Sequence, residues 1–272
     1  MVSTEEKEIL KSISAYIEKE RREAGVPGLA VAIVRDGRRI WSEGFGHCEL
    51  TQEKEVTPQT LFAIGSSTKA FTATAVAMLV EEGKLDWDTP VNRYLPGFRL
   101  KDSLAGERLT LRDMACHRSG LPRYDLSLFN PELNRKDLVD CLQHLEANHD
   151  FRTVWQYQNL MYATLGYIVG EITGTSWEDF VAERILDPLG MKQSNFSLAE
   201  SQREAEYAFP SARKDGEIIE LPWIEITATG PAGSINSTIE DMTNWLVLNL
   251  KQGKFGDEQL LAAESVKQLH TP

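Results

Sequence analysis

The chain has 272 residues, 42% hydrophobic and 26% charged. At ~150 residues per domain this is material for one to two domains with an extensive core, which excludes a stapled mini-protein and a disordered or fibrous chain. Lys and Arg sum to 29 against 41 Asp and Glu, a formal charge of −12 with no basic block to offset it, so nucleic acid and anionic membrane surfaces are poor partners. Cys48, Cys116 and Cys141 are odd in number and lack C-x-x-C spacing, which argues against a disulfide framework and a thiolate zinc site.

In chain order, Ser3-x-x-Glu6 is a capping-box pattern, and Ile9, Ile13 and Ile17 recur at four-residue spacing among charges. The spacing predicts an amphipathic helix over ~4–23. The opening MVSTEEKEIL has neither the basic start nor the apolar run of a signal peptide. As written the sequence therefore points to the cytoplasm, and a shortened form of a secreted or periplasmic protein is the alternative. GLAVAIVRDGRRIWSEGFG reads as two strands around Asp36-Gly37, a dipeptide that accepts the positive φ of a tight hairpin turn. From Pro58 the pattern turns helical: an Ala-rich helix near 66–82 stopped by Gly83, one starting at Thr110-x-x-Asp113, and others over 155–174, 175–188 and 238–252. The apolar stretch Ala70–Val80 is broken by Thr72 and Thr74 and bounded by Lys69 and Glu81, short of the ~20 residues of a membrane span. With no repeat and no linker, one α+β unit fits this order, or a small sheet with a helical lobe.

Chemistry concentrates first in Phe62-Ala63-Ile64-Gly65-Ser66-Ser67-Thr68-Lys69, where a serine and a lysine stand three apart at a helix start and so share one helical face. A serine hydroxyl becomes a useful nucleophile when a neighbour accepts its proton, and a lysine can do so once burial or nearby positive charge lowers its pKa. The helix start adds free N–H groups and partial positive charge suited to an oxyanion. Ser-x-x-Lys alone is common; Ser211-Ala212-Arg213-Lys214 also matches, but in a polar stretch with no apolar helix behind it. A solvated surface cap is the bland reading of Ser66 and Lys69, and the AFTATAVAMLV run behind them argues against it. The other element is Trp155-Gln156-Tyr157-Gln158-Asn159. There a tyrosine can carry protons and an asparagine two residues on can both donate to and accept from a substrate amide.

Together, in this order and separation, the two elements resemble the serine β-lactamase and penicillin-binding protein superfamily, in which Ser-x-x-Lys is the first catalytic motif. The Tyr-x-Asn element that follows it is most similar to that of class C β-lactamases, D-alanyl-D-alanine carboxypeptidases and related esterases. Gly28-Leu29-Ala30-Val31-Ala32, His117-Arg118-Ser119-Gly120-Leu121-Pro122, Pro188-Leu189-Gly190-Met191 and Pro231-Ala232-Gly233 extend the match along the chain. The resemblance implies an α+β, transpeptidase-like fold: an antiparallel sheet flanked by helices, plus a helical lobe. It implies one domain over 1–272, with the N-terminal helix and hairpin in 1–57 and a mainly helical region, 58–272, carrying Ser66 and Tyr157. It also implies Ser66 as acyl-accepting nucleophile, Lys69 as its proton partner, Tyr157 as general base and acid, Asn159 as a substrate-amide contact, and the Ser66 N–H as half of an oxyanion hole. The substrate would be a small molecule or peptide with an amide, lactam or ester, and no cofactor or metal is called for.

The superfamily's third motif, Lys- or His-x-Gly on a strand beside the active site, should stand well beyond Ser237–Gly253. The candidate there, His270-Thr271-Pro272, ends in a residue without an N–H and follows a helix-like turn. The expectation is therefore that the later sheet strands and a second oxyanion donor are missing, that the exposed sheet edge invites self-association, and that this chain is weakly active or inactive. The competing reading is a β-lactamase-like module that binds or supports without catalysing. His144 and His149 are spaced too far apart for one helical turn and lack a third ligand. His117 reads as a structural, hydrogen-bonding residue.

Overall fold

A computed structural model describes residues 3–51, 53–125, 132–204 and 206–271. The chain forms two compact units, each assembled from separated stretches: 1–63, 189–223 and 236–258 in the first, and 64–188, 224–235 and 259–272 in the second.

In the first unit, helix α1 (Thr4–Ala24) starts as its sequence dictates. The Ser3 side chain takes the Glu6 N–H and the Glu6 carboxylate takes the Ser3 N–H, and Gly25 closes the helix at φ 64°. Strands β1 (Gly28–Arg35) and β2 (Arg38–Gly46) pair antiparallel. Asp36 and Gly37 between them take φ of 53° and 69°, the two left-handed residues of a type I′ turn. A register shift at Ile33/Val34 marks a bulge in the ladder. Helix α9 (Ile239–Leu250), capped by Thr238, packs on β1, and α1 packs on β2. A two-residue pair joins β3 (Phe62–Ala63) to β6 (Asn236–Ser237). The single-turn helix α8 (Leu198–Ser201) belongs to the same unit.

A second hairpin, β4 (Ser211–Lys214) and β5 (Glu217–Glu220), lies within the mainly helical stretch 58–272. Its turn is again Asp-Gly, Asp215 and Gly216 at φ of 53° and 92°. The second Ser-x-x-Lys match thus lies on a strand, where residues three apart point to opposite faces, and Ser211 and Lys214 share none.

The second unit is helical. Helix α2 (Thr68–Glu81) buries Phe71, Ala75, Val76 and Leu79 completely, and Gly83 stops it at φ 69°. It packs on α6 (Asn159–Thr173) and α7 (Trp177–Val181), whose Leu160, Met161, Leu165, Ile168 and Trp177 complete the core. Helix α6 begins at Asn159 and not at residue 155: Gln158 is extended (φ −142°, ψ 114°) and caps it by accepting the Leu160 N–H. Trp155 to Gln158 therefore form an extended approach to the helix. Over 175–188 the helix capped by Ser176 gives way after Val181 to a π turn at Ala182–Leu186. Thr110 and Asp113 form a capping box at α4 (Leu111–Ala115). Of the other short helices here, α5 (Arg135–Cys141) packs on α6, α3 (Ser103–Arg108) precedes α4, and α10 (Ala263–Leu269) packs on α2. None of the helices among the described residues is long and apolar enough to cross a membrane.

Candidate active site

Ser66 sits exposed in the 3-10 turn Gly65–Ser67 that feeds α2, and Lys69 lies one turn on, 6% exposed. The helix geometry brings the pair together: the Lys69 Nζ donates to Ser66 Oγ at 3.2 Å and to the Ala232 carbonyl at 2.6 Å. Thr72, one turn further, donates to the Pro231 carbonyl at 2.7 Å, so α2 grips the segment 231–232 twice. The Tyr157 hydroxyl donates to Ser66 Oγ at 2.6 Å. Lys69 Nζ lies 4.8 Å from the Tyr157 ring centroid and 5.4 Å from that of Tyr162, within range of cation–π attraction.

Burial pushes the Lys69 ammonium below the ordinary lysine value, with Arg123 adding to the effect and Tyr157 and Asp125 opposing it. A desolvated lysine shares the serine's hydrogen-bond shell with a tyrosine hydroxyl, an arrangement able to take the serine proton and return it to a leaving group.

Asn159 is buried at the first turn of α6, and its amide donates to Asp125 Oδ1 at 3.3 Å. Asp125 in turn pairs with Arg123 at 2.7 Å, and the Arg123 guanidinium lies 5.1 Å from the Tyr157 ring centroid. His117 is buried, with its ring centroid 4.6 Å from that of Tyr157. Burial and then the Lys69 charge push its pKa down to about 4. Behind it, the fully buried Asp113 carboxylate pairs with Arg118 at 2.7 Å and Arg152 at 2.6 Å. Burial alone would raise the Asp113 pKa, but Arg152 and Thr110 outweigh it and hold it below the usual range.

The structure thus brings together Ser66, Lys69 and Tyr157, and sets Asn159 two residues on with its amide engaged by Asp125. Sequence reasoning misses Arg123, Asp125, Tyr162 and the Ala232 carbonyl. Arg123-x-Asp125, directly after the His117–Pro122 segment, is the one signal that could have pointed to the first two. His149 is exposed, and no group of His, Cys, Asp and Glu among the described residues could hold a metal ion. His270 caps the C-terminus of α10 and lies on no strand; Pro272 lies outside the described residues.

This fold and this cluster define a protein of the serine β-lactamase and penicillin-binding protein superfamily, whose chemistry is of the serine-hydrolase type. The chain belongs to the Beta-lactamase family, whose model matches residues 13–272. It is 30% identical over 266 residues to the unguisins hydrolase ungD′ of Aspergillus campestris, covering 91% of this chain and 49% of that protein. To protein flp of Staphylococcus aureus (strain MW2) it is 25% identical over 244 residues, covering 88% and 49%. Among solved structures, the octameric penicillin-binding protein homologue of Pyrococcus abyssi superposes with a TM-score of 0.84 at 26% identity, over 96% of this chain and 60% of that one. A class C β-lactamase of Rhodobacter sphaeroides superposes at 0.74 with 27% identity, over 93% and 68%. The chain spans about half the length of the curated relatives it matches.

Proposed function

We propose that the protein is a serine acyl hydrolase that transfers the acyl group of a small-molecule or peptide amide, lactam or ester to Ser66 and then to water. The observation that carries this reading is the convergence of Tyr157 Oη (2.6 Å) and a buried Lys69 Nζ (3.2 Å) on Ser66 Oγ. In this mechanism Ser66 Oγ bonds to the carbonyl carbon while its proton passes to the Tyr157–Lys69 pair with Lys69 in its neutral form, the form that burial favours. The tetrahedral oxyanion meets the Ser66 N–H, one of the helix-start N–H groups without an intrahelical partner. Collapse breaks the bond to the amine or alcohol, which leaves with a proton from Tyr157, and water repeats the sequence on the ester. Asn159 meets the substrate amide with the part of its side chain not given to Asp125. The relative named as an unguisins hydrolase and the neighbours named as a penicillin-binding protein homologue and a class C β-lactamase support amide or lactam acyl donors.

His270, the residue the sequence offers for the third motif, stands at a helix end, and among the described residues it sets no strand-borne donor beside Ser66; where one oxyanion donor is lacking the rate typically falls ~10²–10³-fold, so slow acylation is expected. The test is incubation with a fluorophosphonate and, separately, a fluorescent penicillin, followed by intact mass. A slow single adduct on the wild type, absent from Ser66→Ala, is the expected result. No adduct with either reagent on folded protein overturns the proposal in favour of a non-catalytic module, and an adduct that survives Ser66→Ala moves the nucleophile elsewhere.

A further inference from the structure

Tyr157 lies outside α6, in a segment with no helical ladder to fix it, so whatever holds its hydroxyl on Ser66 must come from another part of the chain. Two backbone N–H groups flank it, and both go to one residue. The Gln156 N–H donates to the His117 carbonyl at 2.9 Å, and the Gln158 N–H donates to the His117 Nδ1 at 3.1 Å. The His117 ring packs against Tyr157 at 4.6 Å and Tyr162 at 5.3 Å, with the Trp155 ring edge-on at 5.7 Å. His117 adopts φ of 56° to do this, a left-handed conformation uncommon for non-glycine residues that His takes, with Asn and Asp, more often than most. Its own place is fixed by the next residue: Arg118 takes the Asp113 carbonyl through its N–H and the Asp113 carboxylate through its side chain, and its carbonyl accepts the Arg152 N–H.

We infer that His117 is the positioning residue for Tyr157, bracketing it through carbonyl and Nδ1 so that its hydroxyl is held on Ser66. This inference rests on the reading of Ser66 as nucleophile. Because Nδ1 accepts from Gln158, the ring must be neutral with its proton on Nε2. The titratable groups facing it are Lys69 from α2, Tyr157 from the approach to α6 and Tyr162 from α6; burial first, and then the charge of Lys69, disfavour a proton on the ring and keep it neutral above about 4. Protonation would remove the acceptor and free Tyr157.

His117→Asn keeps an acceptor near the Nδ1 position and tolerates the left-handed backbone, whereas His117→Gly keeps the backbone and loses the acceptor. On this inference, fluorophosphonate acylation by His117→Gly falls about 10²-fold, the scale of a 1 Å misplacement. His117→Asn retains most of the wild-type rate and loses the acid limb at about 4 expected of the wild type. Equal loss in both variants, or an acid limb kept by His117→Asn, overturns it. Nitrogen-15 NMR of the wild type needs no activity: it should show an Nε2–H tautomer with Nδ1 unprotonated above about 4, and hydrogen exchange should show a protected Gln158 amide that loses protection in His117→Gly. An Nδ1–H tautomer or an unprotected Gln158 amide in the wild type overturns the inference even where Ser66 forms an adduct. If no adduct forms but the tautomer and protection are as stated, the acylation reading alone has failed.

Discussion

At the scale of single residues, Lys69 sets the requirement for function against the requirement for stability. Its ammonium is buried against two aromatic rings and satisfied by one carbonyl and one hydroxyl, yet burial still outweighs these contacts and lowers its pKa from 10.5. The sign follows from linkage: below the folded pKa both folded and unfolded chains hold the proton and the fold carries the whole penalty of a buried charge. As pH rises from there toward 10.5 the folded state releases the proton first and the penalty is relieved. Lys69→Met removes that dependence. Its stability relative to the wild type should be constant below the folded pKa and should decline as pH approaches 10.5, while acylation of Ser66 is lost at every pH. The loss of the hydrogen bond to Ala232 shifts the two curves by a pH-independent amount, so denaturant unfolding over a pH series isolates the titration. A gap that stays flat up to 10.5 means Lys69 is not held below its ordinary value.

At the scale of elements, the site depends on how closely α6 approaches the segment 227–232, whose Pro231 and Ala232 carbonyls hold α2. A Cβ on Gly166 would stand 2.1 Å from Pro231 Cγ and 3.3 Å from Trp177 Cγ. Gly166→Ala gains ~1 kcal/mol of helix propensity but overpacks a filled core, which typically costs about 1–3 kcal/mol. With the proline ring unable to swing aside, a net loss of about 1–2 kcal/mol in unfolding free energy is expected, together with slower acylation as the Ala232 carbonyl shifts from Lys69. A variant as stable as the wild type would show that the two elements are not tightly packed. The same distinction between local and distant causes explains what was legible in the sequence. Ser3 with Glu6, Asp36 with Gly37 and Thr110 with Asp113 act through bonds or turns within four residues, so their patterns can be read directly. The Asp215-Gly216 hairpin carries the same turn signal, but SARK and EIIE around it lack the alternating apolar residues of a half-buried strand. The start of α6 lies beyond the predicted position because the Gln158 N–H goes to His117, 41 residues away. Ser66, Lys69 and Tyr157 could be found because their residue types and spacing stand out in the sequence itself. The Ala232 carbonyl could not, since a backbone oxygen leaves no mark on residue type.

At the scale of the whole molecule, the strands of the first unit raise the question of association. Strand β1 pairs with β2 in a two-stranded sheet, and its residues from Leu29 to Val34 are half-buried aliphatics. Among the described residues no strand pairs with its other edge, and a long apolar edge strand is a template for another copy. Side chains alternate along it: Leu29, Val31 and Ile33 share a face with Glu43 of β2, which accepts from Ser14 of α1, while Ala30 and Ala32 sit opposite Gly44 and Ser42 on the other. The net charge of −12 opposes association through long-range repulsion, but that repulsion is screened beyond ~8 Å at physiological salt, whereas strand pairing is short-ranged. The isolated chain should therefore self-associate in a concentration-dependent way, and more strongly as salt is raised. Sedimentation velocity over a series of protein and salt concentrations should show the shift away from monomer. A wild type that stays monomeric at high concentration and high salt would mean that the edge is already covered within the chain.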